Sequence, residues 1–442
     1  KPSKTNSRLT TGGGYTGIII IGKLWCFYMK KKGVLSLSIF VILMSILVIS
    51  KRPINNLIEY DENTTLALFN EDGSKIDQVP SRDSGYILDT KKSSCANGSI
   101  SWDTDSWSPV VTVNNEVNGR VRCTLYFKEA TAYDQCIVQY GEGTFLCNAI
   151  ADLNEEKCPT VNKDGTINVT AENQDGYVCS APDDYGTSYY YRGNVTNNYV
   201  KFGTNESGQD MYWRIIRING DGSIRMIYDG TRAHVNGEES DDRNIGTSSF
   251  NELIDTNGDF PWIDSVSYTY NNHQNDSIIK SYVDAWYEKV FLGSEYESYL
   301  SDEIFCTSRV IGEYNPCAYE LLDSLSCINE EDRYTVDEAK GNGGLKYPIG
   351  LVTAIEGRLA GGVGISGVIG HYLDAGVYWT MSPSYYDLGC GGLVVYTINY
   401  GVVSQGLSLD VTSTSGVKPV INLKSNSLKS GAGTMDNPYT VG

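Results

Sequence analysis

Eleven cysteines, three histidines and 54 carboxylates are the side chains of this 442-residue sequence with the most chemistry open to them. A zinc site needs Cys and His at short, regular spacings, and neither a C-x-x-C pair nor the scattered His234, His273 and His371 supply them. Cys26 precedes a long apolar run, and the other ten cysteines come after it. An even set in an exported chain points to disulfides. Nearness in sequence suggests Cys95 with Cys123, Cys136 with Cys147, Cys158 with Cys179 and Cys306 with Cys327, leaving Cys317 and Cys390. Spacing alone leaves the connectivity open.

Gly364-Ile365-Ser366-Gly367 falls one residue out of the G-x-S-x-G nucleophile turn, and its glycine-rich setting reads as a loop. Asp255-Thr256-Asn257-Gly258-Asp259 and Asn219 to Gly222 carry oxygens of the kind calcium takes. Asx-Gly clusters are more commonly turns. So many acids supply carboxylate pairs by chance, and their number does not identify a glycosidase. No cofactor is expected, and calcium is the one ion kept in view.

The element that must position any site is Met211 to Gly230, MYWRIIRINGDGSIRMIYDG. Two β-forming runs flank Asn219-Gly220-Asp221-Gly222, which tolerates positive φ, so the stretch predicts a β-hairpin. Both faces are largely apolar, as in strands covered on two sides. Trp213 and Tyr228 then belong to the core, and Arg214, Arg217 and Arg225 form ion pairs at sheet edges.

Met29 reads as the start of the protein, with residues 1–28 as upstream sequence translated with it. Lys30, Lys31 and Lys32 precede the apolar run Gly33 to Ser50, which Lys51 and Arg52 close. Basic residues ahead of such a run hold its start inside and export the chain beyond it. With no small-x-small cleavage site, an uncleaved signal anchor over 29–52 is preferred to a cleaved signal peptide. Nine of the 35 basic residues and none of the acidic ones precede Pro53, which leaves the remainder at −28. That field repels phosphate backbones and argues against nucleic acid as a partner.

Beyond the membrane segment, residues 53–84 read as a stalk or an irregular first strand. Residues 85–130, with Val110 to Val113 and RVRCTLYF at Arg120 to Phe127, predict a small β domain with Trp102 and Trp107 in its core. Residues 131–182 hold four cysteines and predict a disulfide-stapled insert. In 183–442, Ser277 or Asp276 can cap a helix whose stripe is Ile279, Tyr282, Trp286 and Val290, with Gly293 closing it. Thr353 and Glu356 have capping-box spacing for a second helix that Gly361 stops. Val377 to Pro383, Leu393 to Leu409 and Gly416 to Leu423 predict late strands, with a turn at Asn399-Tyr400-Gly401.

The ordered phrases GTSYYYRGNV, NNYVKF, YWRIIRINGDGSIRMIYDG, YPIGLVTA, YWTMSP, GVKPVINL and GTMDNPYTV, spread over Asp183 to Gly442, resemble an uncharacterised family of surface proteins from gut-dwelling Gram-positive bacteria. SGYILDTKKSSCANGSISWD through RVRCTLYF resembles the small β domain that precedes it there. Lys418 stands where Arg is expected before the proline, and FCTSR at Phe305 to Arg309 departs from FCNDR. The order of hairpin, helices and late strands is similar to the C-type lectin-like fold shared with formylglycine-generating enzymes. The resemblance implies an α+β class, with a lectin-like C-terminal domain after small all-β domains and an N-terminal membrane segment.

That likeness also implies a recognition face on the late loops, which carry Tyr385, Tyr386, Asp387 and Tyr400. Tyrosine brings area and a hydrogen bond at low entropic cost. The E-P-N and W-N-D phrases of calcium-dependent sugar binders are missing, and bridged thiols would not serve formylglycine-type oxidation. The expected function is cell-surface binding of a protein or glycan. An extracellular enzyme acting on cell-wall or host glycans, and a structural envelope spacer, are the alternatives. A deep cleft with converging carboxylates would mark the enzyme.

Overall fold

The computed structural model describes residues 64–103, 106–113, 121–140, 144–170, 175–252, 276–311, 318–363, 370–387 and 392–442. The expected upstream extension 1–28 and membrane segment 29–52 lie outside the described residues, as do Cys317, Cys390, the Asp255–Asp259 stretch and Gly364 to Gly367. Among the described residues no helix is long and apolar enough to cross a membrane.

Those residues form two compact units, one holding the described chain to Val79 with Leu88–Asp103 and Ser108–Phe127, the other holding chiefly Lys128–Gly442. In the first, strands run over Thr64–Asn70 (β1), Lys75–Ile76 (β2), Ser94–Ala96 (β3), Gly98–Asp103 (β4), Ser108–Val113 (β5) and Val121–Glu129 (β6). Thr64–Asn70, within the expected stalk, is a regular strand that pairs in parallel with β6 from Thr64 opposite Val121 to Asn70 opposite Phe127. Val121, Cys123, Leu125 and Phe127 are buried and alternate with less buried Arg122, Thr124 and Tyr126, the period of a strand with one face on a core. Cys95 and Cys123 sit opposite each other on β3 and β6 and form a disulfide.

The second unit begins with two short helices, Ala132–Tyr140 (α1) and Phe145–Ala151 (α2), and continues with strands Tyr177–Asp183 (β7), Gly186–Arg192 (β8), Tyr199–Thr204 (β9), Asp210–Ile218 (β10), Ile224–Gly230 (β11) and Gly246–Ser249 (β12). Helix Ile278–Val290 (α3), strands Leu300–Ser301 (β13) and Ile349–Leu351 (β14), and helix Ala354–Ala360 (α4) come next. The chain ends with Val377–Asp387 (β15), Gly392–Asn399 (β16), Leu409–Asp410 (β17), Thr414–Val417 (β18), Pro419–Leu423 (β19), Leu428–Ser430 (β20) and Tyr439–Val441 (β21). One sheet runs β13-β19-β11-β10-β9-β21-β20, with β14 on β19 and β8 joining β10 to β7. The other runs β12-β18-β15-β16-β17. Lys418 lies where the chain passes from β18 in one sheet to β19 in the other.

The hairpin is β10 and β11, with Ile218 opposite Ile224 and Gly222 at φ 86° in the turn. Trp213 and Trp379 are fully buried, and their indole N–H groups donate to the carbonyls of Phe202 and Ser248. Truncating either to alanine is expected to cost roughly 3–5 kcal/mol. The segment expected as a separate insert at 131–182 packs with the C-terminal residues, because β7 pairs with β8 along its whole length.

Strand residues make up 41% of the described residues against 16% helix. This mainly β architecture overturns the expected α+β class. Both anticipated helices exist, but at 13 and 7 residues they are short covers on sheets that supply most of the core. Ser277 caps α3 by accepting from the Lys280 N–H. The buried stripe of α3 is Ile279, Val283, Tyr287 and Val290, while Tyr282 and Trp286 stand at its half-buried flank. A buried Lys280–Asp284 pair at 2.6 Å shares that face, so apolar spacing alone misplaced it by one position.

Candidate binding groove

A cavity of about 380 Å³ opens between α2, the β10–β11 turn and the C-terminal strands β20 and β21. A helix as short as α2 is marginal alone, and a disulfide between Cys136 and Cys147 staples it to α1. Phe145, the first residue of α2, meets Tyr439 of β21 edge to face with ring centroids 4.8 Å apart. Tyr439 is placed by the parallel pairing of β9 and β21, where Val200 lies opposite it. Gly222 and Asn426, both at positive φ, let the two turns at the groove's rim reverse tightly. Asn148, Ser425 and Ser430 add amide and hydroxyl groups to the lining.

Lys429 is the single charged residue of that lining among the described residues, and its ammonium donates to the Asn426 carbonyl at 2.8 Å. Burial pushes the Tyr439 phenol above its ordinary pKa, with Asp152 adding to the effect, so it stays neutral at physiological pH. Such a surface suits an uncharged or weakly charged ligand held by ring contact and hydrogen bonds.

The expected recognition residues do not share a face. Tyr385, Tyr386 and Asp387 pair with Val394, Leu393 and Gly392 at one end of the β15–β16 ladder. Tyr400 comes directly after Asn399, which pairs with Val377 at the other end. At about 3.3 Å per strand residue the two ends are roughly 30 Å apart. Tyr385 is half-buried, and Tyr400 is 49% exposed with φ 46°.

The arginines of the hairpin lie in the sheet interior, not at its edges. Arg217 binds Asp183 at 2.9 Å and Glu356 at 3.2 Å, and Arg225 binds Glu356 at 2.5 Å. Burial alone would raise the Glu356 carboxyl, but Arg225 and Arg217 hold it below the usual range. Arg214 forms no ion pair with a carboxylate among the described residues. It donates to Asn198, Asn236 and the Val195 carbonyl and stacks on Tyr199 at 3.8 Å. Asp183, Asp184 and Glu356 line a space of about 20 Å³, room for one water. Arg333 holds Asp184 at 3.2 Å, so each of these carboxylates is engaged by a guanidinium. They form a packed charge network around that space.

In the Asn219–Gly222 turn, Asp221 accepts from the Ser223 N–H and hydroxyl, and Asn219 donates to Ser223 and Asn422. These are turn-closing bonds. Among the described residues no group of three His, Cys, Asp or Glu side chains could hold a metal ion. Cys306 is bonded to Cys327 and Cys158 to Cys179. Four disulfides within a mainly β chain define a stapled extracellular protein. No family model, curated protein or solved structure matches it.

Sequence reasoning missed the groove residues. Phe145 and Tyr439 are 294 positions apart and carry no shared motif, and only the cysteine beside Phe145 hinted that its short helix was held in place.

Proposed function

We propose that this chain is a cell-surface binding protein that takes a protein or glycan ligand in the groove between α2, the β10–β11 turn and β20–β21. The observation that carries this reading is the groove's lining, in which Phe145 and Tyr439 stand among amides and hydroxyls with no carboxylate among the described residues. An enzyme acting on glycans would need acids converging on a cleft. The buried Asp183, Asp229, Asp332 and Glu356 are instead tied to arginine. The apolar run Gly33 to Ser50 would hold the chain at the membrane, and its removal as a signal peptide would release it. The resemblance to surface proteins of gut-dwelling Gram-positive bacteria supports the same setting, and the acidic surface disfavours nucleic acid.

The test is a glycan and protein array probed with the disulfide-bonded exported chain and with its Ser430→Trp variant. Ser430 is exposed, so the bulky ring should block the groove without disturbing the fold. Loss of the array signal in that variant is the expected result. Equal binding by both proteins would sink the reading.

A further inference from the structure

A second compartment of about 180 Å³ neighbours the groove, and Leu146 and Gly222 line both spaces. Tyr189, Gln135 and Thr187 line the second space, beside α1 and β8. Asn219, at this end, is buried, and its Oδ1 has no hydrogen-bond partner among the described residues.

We infer that the ligand is an uncharged, unbranched oligosaccharide bound across these two compartments, an inference that rests on the groove being the binding site. Each compartment offers an aromatic ring and several amide or hydroxyl groups, the combination that receives the apolar face and the rim hydroxyls of a sugar ring. Among the described residues neither compartment is lined by a carboxylate, and Lys429 is the only cation in the two linings. An ionic glycan would require a matching charged array. Two neighbouring spaces that share Leu146 and Gly222 suit consecutive units of one unbranched chain. A peptide is a poorer fit. Strand β20, the sheet edge at the groove, has three residues and an irregular register with β21, which leaves little backbone for strand addition. The cavity is half open and lacks the deep apolar pocket that anchors a peptide side chain.

The experiment measures affinity for neutral linear oligosaccharides of increasing length on an array that also carries acidic glycans and peptides, using the exported chain and two surface variants. Neutral glycans should bind, with affinity rising about tenfold or more once the chain is long enough to reach both compartments. Gln135→Trp, which fills the second compartment from an exposed position, should remove that gain and keep the binding of short glycans. Ser430→Trp should remove both. Affinity independent of length, a preference for acidic glycans, or silence on all glycans overturns the inference. Peptide binding that Ser430→Trp abolishes would also overturn it while leaving the groove as the site, whereas any binding unchanged by Ser430→Trp would remove the groove itself.

Discussion

Arg217 and Arg225 stand directly opposite each other on β10 and β11, and the carboxylate of Glu356 bridges them from α4. Like charges in cross-strand register repel, and both are buried here. Glu356, with Asp183 on Arg217, therefore neutralises a pair that would otherwise repel across the hairpin. The same carboxylate accepts the Thr353 N–H at 2.9 Å and completes the capping box of α4. Glu356 thus couples helix initiation to the central sheet.

Replacing Glu356 with Gln keeps the shape and the cap but removes the charge. Leaving a buried guanidinium without its anion costs about 3–5 kcal/mol. Urea unfolding should show a loss of that size, and a change below about 1 kcal/mol would mean that the charge itself matters little.

Lys418 should make stability rise with pH above neutrality. Its ammonium is buried 2.9 Å from the Arg243 carbonyl and 3.6 Å from Asp229. Burial, with Arg243 beside it, outweighs Asp229 and brings its pKa from 10.5 down to about 7. The unfolded chain keeps this proton to a higher pH than the folded protein does. Between pH 7 and the ordinary lysine range the unfolded state binds more protons, so unfolding free energy climbs with pH, by at most about 1.4 kcal/mol per unit. Lys418→Met should flatten the slope measured between pH 7 and about 9. A wild-type slope that is already flat there would contradict it. In more alkaline solution the buried phenols of Tyr228, Tyr287 and Tyr372, all raised by burial, act in the opposite direction. The unfolded state then loses protons first, and stability falls again.

The Cys136–Cys147 bridge closes a loop with a separation of 11 residues and holds the wall that carries Phe145. Paired Cys136→Ser and Cys147→Ser changes should lower stability by about 2–3 kcal/mol. Ligand affinity should fall further than stability does, because α2 loses its fixed position. Circular dichroism beside a binding titration separates the two effects. Full affinity in the unbridged protein would show that the helix holds itself.

Tyr400 is exposed and held at φ 46°, where its N–H donates to the Gly376 carbonyl. A side chain in this left-handed region costs about 1 kcal/mol. Tyr400→Gly is expected to leave the melting temperature unchanged or to raise it slightly, and to leave groove binding intact. A clear fall would reveal packing of the ring that its exposure does not suggest.

Much of the fold was legible because its signals are local. The Asn219–Gly222 turn, the Ser277 cap, the Thr353–Glu356 box and Gly401 after Tyr400 each depend on a few neighbouring residues, and each stands where its residue types place it. The stripe of α3 was misplaced because Lys280 and Asp284 are buried as a pair, which an apolar count cannot register. The arginines of the hairpin were assigned to edges because their partner, Glu356, lies 139 positions from Arg217.

By itself the sequence determined the turns, caps and strand texture, because those depend on backbone preferences and contacts within a turn or two. Only the tertiary structure decided the balance of sheet over helix, the burial of the arginines and the existence of a groove. Each of these depends on which distant segments pack together. Phe145, Gly222, Asn426 and Tyr439 become neighbours through sheet order and a disulfide, and no local spacing encodes that meeting.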